Sequence, residues 1–113
     1  MSQSEDYTFR LTDADATLDI GISVAKFDAA RVPAFQTEFQ NAWVPSIKSI
    51  RIYMDDVQFI DSSGIGALLS VQKKLADSAT PIALHTEQAN VVQILELLRL
   101  QRVFHIVTDA KTV

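Results

Sequence analysis

Chemistry in this chain is concentrated in one run, Val57-Gln-Phe-Ile-Asp-Ser-Ser-Gly-Ile-Gly-Ala-Leu-Leu69. An apolar, strand-like stretch ends at Asp61-Ser62-Ser63-Gly64 and passes directly into a helical pattern. Asp and Ser favour helix N-caps because a side-chain oxygen accepts from the free N–H groups of the first turn. Gly64 and Gly66 would let other backbone, or a partner, come close to that turn. The arrangement sets two hydroxyls at a helix N-terminus and at the carboxyl end of a strand, where open α/β sheets present functional groups. The helix dipole and the free N–H groups there favour negative charge.

Four chemistries fit such a turn unequally. Asp61 and the serines could simply cap the helix. A nucleophile elbow wants Gly-x-Ser-x-Gly and a histidine partner. Here Ile60 precedes Ser62 by two and Asp61 precedes Ser63 by two, so the first glycine is missing for either serine. The histidines, His85 and His105, fall in or beside predicted strands. A phosphate-cradling loop would need more glycines and a lysine after the last one, yet Ala67 follows Gly66. The fourth is a phosphoacceptor serine. Asp55, Asp56 and Asp61 also raise a magnesium site, since hard carboxylates suit that ion. They share one connection, however, and the last strand ends His105-Ile-Val-Thr108 without the lysine of a phosphoaspartate receiver, so a solvated turn is the expectation.

The elements that must position this run fit into 113 residues, room for one domain with one core. Apolar residues make up 48% of the chain, enough for a packed interior. There is no cysteine, which removes disulfides, thiolate metal sites and a cysteine nucleophile. The opening MSQSEDYTFR lacks the basic and apolar regions of a signal peptide. No apolar run approaches the roughly 20 residues needed to span a bilayer. Ten basic and 14 acidic residues give a net charge of −4, and the basic ones are scattered. Nucleic acid and anionic membrane surfaces are therefore not expected partners. A cytoplasmic location is expected, with no cofactor and no metal.

Leu18, Ile20, Ile22 and Val24 alternate with Asp19, Gly21 and Ser23, the period of a half-buried strand. Tyr7, Phe9 and Leu11 read the same way, and Asp13-Ala-Asp15 between them predicts a β-hairpin. A helix is expected from about Ala29 to Trp43, with Val32, Phe35, Phe39 and Trp43 on one face and Pro33 in its first turn. Ser49 to Met54 reads as a strand, and Val57, Phe59 and Ile60 continue apolar towards the serine turn. Ile65, Leu68, Leu69, Gln72, Leu75 and Ala76 describe a second helix, from Ser63 to about Ser78. A strand at Pro81 to Leu84, a helix at Gln88 to Leu98 and a strand at Val103 to Val107 complete the pattern. The fold class expected is α/β: a mixed sheet opened by a hairpin, with helices packed on it. Residues 1–6 and 109–113 are expected to be frayed ends. Every apolar residue named here is expected in the core.

The stretch from about Ile50 to Val107 resembles the STAS domain family, in particular the single-domain anti-sigma factor antagonists of bacteria. The family signature is a strand, an apolar-aromatic-apolar run, Asp-Ser-Ser-Gly-Leu-Gly and a helix. This chain reads RIYMDDVQFIDSSGIGALLSVQKKL, with Ile65 for the usual Leu. The element order matches over essentially the whole chain, and Phe27-Asp28 stands where the family has a Leu-Asp-type turn. The resemblance implies that Ser62 is phosphorylated by a partner that is both anti-sigma factor and serine kinase of the histidine-kinase-like ATPase class. A serine phosphatase is the implied counterpart. The implied partner surface comprises Phe27, Asp28, Asp61, Ser62, Ser63, Gly64 and Ile65. The chain departs from the family in having Ala25 before the Leu-Asp-type turn, Ala79-Thr80 for a Gly-Gly, and Leu98-Arg99-Leu100-Gln101 where a Gly commonly follows the third helix.

Two functions follow. In the first, the unphosphorylated chain binds its kinase and phosphorylation on Ser62 releases it, because a phosphoserine adds about −1.5 to −2 charges beside Asp61. In the second, the chain is a constitutive STAS-like subunit of a signalling or transport assembly and the serine turn is only a cap. Neither is enzymatic.

Overall fold

The computed structural model describes residues 6–75 and 81–108. The chain opens with strands β1 (Tyr7–Thr12) and β2 (Thr17–Ile22), antiparallel partners in register from Tyr7 opposite Ile22 to Thr12 opposite Thr17. Their connection turns through left-handed backbone at Asp13, Ala14 and Asp15, with φ of 53°, 56° and 68°. The Thr17 hydroxyl donates to the Asp13 carboxylate at 2.9 Å and anchors that turn. Two-residue strand β3 (Lys26–Phe27) follows, then α1 (Val32–Ala42). Next come β4 (Ser49–Tyr53), two-residue β5 (Phe59–Ile60), α2 (Ser62–Lys74), β6 (Ile82–His85), α3 (Ala89–Leu97), a 3-10 turn at Leu100–Arg102 and β7 (Phe104–Val107).

The main sheet runs β1-β2-β4-β6-β7, parallel throughout except for the opening hairpin. Alternation sends Leu18, Ile20, Ile50, Ile52, Ile82, Leu84, Phe104 and Ile106 into one core with the apolar stripes of all three helices. The opposite set, including Arg10, Asp19, Arg51, Tyr53, His85 and His105, stays exposed or half-buried, so the helices cover a single face. On the uncovered face Arg51 donates to both Asp19 oxygens, at 2.6 and 3.0 Å, and Tyr53 stacks on His85 with centroids 4.4 Å apart.

The expected α/β architecture is the observed one; α2 spans Ser62–Lys74 where Ser63 to about Ser78 is expected, with Leu75 already outside helical geometry, and three further differences lie nearer the site. First, α1 begins at Val32 and not Ala29, because the Asp28 carbonyl accepts from Arg31 and Val32 N–H and its side chain from Ala30 N–H, making Ala29–Arg31 a turn. Its far end is Ala42, with Trp43 extended (φ −67°, ψ 134°), as Pro45 biases the residues ahead of it away from helix. Second, β3 and β5 pair in parallel as a small separate sheet, Lys26 beside Phe59 and Phe27 beside Ile60. Two-residue strands carry no readable period. Third, Phe59 is 46% exposed and so not a core residue: of the pair, Ile60 turns inward and Phe59 outward. Of the expected frayed ends, 1–5 and 109–113 lie outside the described residues, while the Asp6 carbonyl accepts from Ser23 N–H. Ala76, Ser78 and Ala79-Thr80 also lie outside them.

Candidate functional site

The site is the edge where β4, β5 and β6 reach their carboxyl ends and α2 starts. Asp61 is the N-cap of α2, in extended backbone with φ −109° and ψ −173°. Its Oδ1 accepts from Gly64 N–H at 3.0 Å and its carbonyl from Ile65 N–H at 3.0 Å. Its side chain thus satisfies one of the four N–H groups that a helix start leaves over, its carbonyl accepts the first bond of the helix, and the N-cap bond is made by Asp61 and not by a serine hydroxyl. Ser62, the first helical residue, is exposed; Ser63 is half-buried. Because Asp61 does the capping, the Ser62 Oγ is available for chemistry.

The two glycines divide the roles expected of them. A Cβ on Gly64 would fall against the Phe27 carbonyl oxygen and stand 2.6 Å from Ile60 Cγ1, so here only glycine admits the loop after β3 against the helix. A Cβ on Gly66 would meet nothing within 4 Å, which leaves bare, exposed backbone one turn beyond Ser62.

The loop pressed on Gly64 is fixed from several sides. Phe27 packs edge-on against Phe35 at 5.2 Å, inside a ring cluster that includes Tyr7, 5.4 Å from Phe35. The Tyr7 hydroxyl donates to the Arg31 carbonyl at 2.9 Å, and burial pushes its pKa up to about 12, with the nearby Asp6 charge adding to the rise. The second Asp61 oxygen, Oδ2, accepts from Ala29 N–H at 3.3 Å and joins the α2 turn to the loop carrying Asp28. Neighbouring connections are tied in as well. The Ala25 carbonyl accepts from Gln58 and Phe59 N–H, Asn90 Nδ2 donates to the Gln58 carbonyl, and Gln88 Nε2 donates to the Asp55 carbonyl.

Asp55 and Asp56 occupy the turn closed by Val57 N–H on the Met54 carbonyl, as expected of a solvated turn. Among the described residues no group of three His, Asp or Glu is placed to hold a metal ion. Neither histidine hydrogen-bonds to Ser62 or Ser63 among the described residues. His85 is stacked on Tyr53 on the helix-free face and His105 lies exposed in the last strand, so neither histidine is set beside a serine as a base.

The model of the STAS domain family matches residues 23–112. This chain belongs to the STAS domain family. The family is one of binding domains, and no enzymatic family is indicated. Among curated proteins none matches the chain. Solved structures that share the fold include three anti-sigma factor antagonist chains. One is a candidate anti-sigma factor antagonist from Thermotoga maritima: 20% identity, 93% of this chain and 87% of that one covered, TM-score 0.73. Another is the anti-sigma factor antagonist SpoIIAA in its unphosphorylated form: 19% identity, 80% and 82% covered, TM-score 0.59. The third is the Bacillus cell fate determinant SpoIIAA in the phosphorylated form: 18% identity, 92% and 93% covered, TM-score 0.63.

Within this STAS domain the residues of the implied partner surface separate into two groups. Asp28, Asp61, Ser62 and Ser63 are exposed or half-buried on one edge. Phe27 is not a surface residue: its side chain is 0% exposed and packs under the loop, so it positions Asp28 and does not itself face a partner. Gly64 is buried beneath the Phe27 carbonyl, and Ile65, 8% exposed, spends its side chain on the core. Sequence reasoning missed two exposed neighbours, Phe59 and Lys26, which stand side by side on the small sheet. Phe59 lay in an apolar run, and only the short β3–β5 pairing turns it outward. No helix among the described residues is long and apolar enough to cross a membrane.

Proposed function

We propose that this STAS domain is a phosphorylation-controlled partner switch, a single domain working in the bacterial cytoplasm. Unphosphorylated, it binds an anti-sigma factor that is also a serine kinase of the histidine-kinase-like ATPase class. Phosphorylation on Ser62 releases that partner, and a serine phosphatase resets the switch, with transcription as the output. One observation carries the reading: the exposed Ser62 hydroxyl, relieved of capping by Asp61, stands at a helix N-terminus next to the loop of Asp28. Membership of the STAS domain family and a fold shared with antagonists that include a phosphorylated form support it.

The docking surface in this reading consists of Asp28, Asp61, Ser62, Ser63 and the bare backbone at Gly66, flanked by Phe59. A phosphoseryl dianion of about −1.5 to −2 charges on that surface repels Asp61 and Asp28 and must be desolvated to dock. Left unpaired in an interface, such a charge costs several kcal/mol. The test is intact-mass measurement on protein purified from its own host, with the modified peptide mapped. It is joined to partner capture by wild type, Ser62→Ala and Ser62→Glu. The expected result is one phosphoryl group on Ser62, capture by wild type and Ser62→Ala, and little capture by Ser62→Glu. A kinase that labels Ser62→Ala as well as wild type refutes the assignment.

A further inference from the structure

The helix α1 starts without a side-chain cap on its N-cap residue Arg31, so the turn before it depends on ties from elsewhere. Asp28 organises that turn from within, through Oδ1 on Ala30 N–H at 3.2 Å. Tyr7 holds its far end at the Arg31 carbonyl. Among the hydrogen bonds of the described residues, the one from the serine turn to this loop is Ala29 N–H to Asp61 Oδ2. The two oxygens of Asp61 are therefore unequal. Oδ1 makes a 3.0 Å cap bond inside its own helix turn, while Oδ2 makes an exposed 3.3 Å bond at the long limit of useful geometry. Of the two, the longer bond is the weaker.

We propose that Asp61 is a positioning residue, a latch through which charge on Ser62 controls the loop carrying Asp28. This rests on the partner-switching reading for its purpose, though its geometry stands without it. With Ser62 unmodified, Asp61 holds Ala29 and fixes Asp28 against the start of α2. A phosphoryl group on Ser62 adds a dianion to the residue next to the Asp61 carboxylate. Repulsion turns Oδ2 away from Ala29, while Oδ1 keeps the Gly64 bond because that bond also closes the helix turn. The Ala29 tie is lost, while Phe27, Tyr7 and the fold keep their places. The phosphate thus acts twice on the partner surface, once by its own charge and once by loosening the segment that carries Asp28.

The test needs neither kinase nor partner, so its failure is separable from failure of the function proposed above. It measures backbone amide exchange by NMR in wild type, Ser62→Glu, Asp61→Asn and the double variant. Asn caps helices as well as Asp, so Asp61→Asn keeps the Gly64 bond. Its amide nitrogen, however, cannot accept from Ala29. Exchange at Ala29 should rise about three- to tenfold in each single variant, the scale of one exposed hydrogen bond. It should rise no further in the double variant, and Gly64 should be unchanged in all of them. Asp61→Ser, which caps with a single shorter oxygen, should loosen Ala29 in the same way and covers the case in which the Asn side chain repairs the contact. An Ala29 amide that Ser62→Glu leaves untouched, or effects that add in the double variant, would overturn the latch. If partner capture by Ser62→Glu still falls in that event, the charge acts at the interface directly. If Ala29 responds as expected and no partner is captured by any form, the latch stands and the partner-switching reading fails.

Discussion

Gly64 and Gly66 lie two residues apart in one helix, and the same substitution at each should move stability in opposite directions. Gly66 is in the interior of α2, exposed, with room for a Cβ on every side. Glycine there costs roughly 0.8–1.0 kcal/mol relative to alanine, because it surrenders more backbone freedom on helix formation. Unfolding entropy of about 2.1 cal/mol/K per residue, over 113 residues, gives about 0.24 kcal/mol/K. Gly66→Ala should therefore raise the melting temperature by about 4 °C. At Gly64 the same methyl group is driven into the Phe27 carbonyl and Ile60, and backbone cannot step aside as a flexible side chain can. Overpacking of that kind costs about 1–3 kcal/mol, so Gly64→Ala should lower the melting temperature by several degrees after the helix gain is subtracted. Thermal melts followed by circular dichroism measure both. Partner capture by the stabilised variant supplies the functional half: a methyl on the bare ridge beyond Ser62 should weaken binding by about tenfold or more if partner backbone packs there. Gly66→Ala melting below wild type would refute the structural reasoning. A higher melt with unchanged capture would take the Gly66 ridge out of the interface.

Three further outcomes are expected. Ala14 and Arg99 hold left-handed backbone, with φ of 56° and 59°, at a cost of about 1–2 kcal/mol for a non-glycine residue. Ala14→Gly and Arg99→Gly should each raise the melting temperature by up to a few degrees once the greater freedom of glycine in the unfolded chain is deducted. Tyr7 has its pKa raised from 10.0 to about 12 by burial, so the stability it contributes is complete below pH 10 and is lost as pH rises towards 12. Tyr7→Phe should flatten that alkaline loss in pH-dependent melts, while costing about 1 kcal/mol at neutral pH for the bond to the Arg31 carbonyl. Finally, Ser62→Glu should melt within a few degrees of wild type, since the helix N-terminus favours the new charge by about 0.3–1 kcal/mol and Asp61 opposes it. A melt displaced by ten degrees or more would mean that charge at Ser62 reshapes the fold.

Elements with a period were legible and contacts between them were not. The alternation around Leu18 to Val24 and the helical spacing of Val32, Phe35 and Phe39 place β2 and α1 because each pattern repeats over several residues. The order Asp61-Ser62-Ser63-Gly64 gave the cap, since capping is local chemistry within three residues. The small sheet escaped because two residues per strand hold no period, and with it went the exposure of Phe59. Phe27 shows the converse. A motif position marks where the chain turns, but whether its ring faces out depends on Phe35, eight residues later in sequence and 5.2 Å away in space. The Asp61–Ala29 bond joins residues 32 apart and has no signature in either segment.

The departures from the family pattern can be weighed by backbone angle. Arg99 occupies the residue just past α3, donates its N–H to the Glu96 carbonyl at 2.9 Å and adopts the left-handed conformation that glycine takes without strain. A residue other than glycine has a physical cost there, on a helix whose end also exposes Leu97 and Leu98. Ala25 is different. It is absent from the residues with positive φ, its side chain is exposed, and its carbonyl accepts the Gln58 and Phe59 N–H groups that a glycine's would accept equally. No local geometry at Ala25 calls for glycine, so the substitution leaves β3, the Asp28 loop and the Asp61 latch intact. Its effect falls on the surface alone, where an added methyl beside Lys26 changes the shape offered to a partner. Restoring glycine there should accordingly leave amide shifts in the core and the melting temperature close to wild type, and change partner affinity if the docking surface reaches β3.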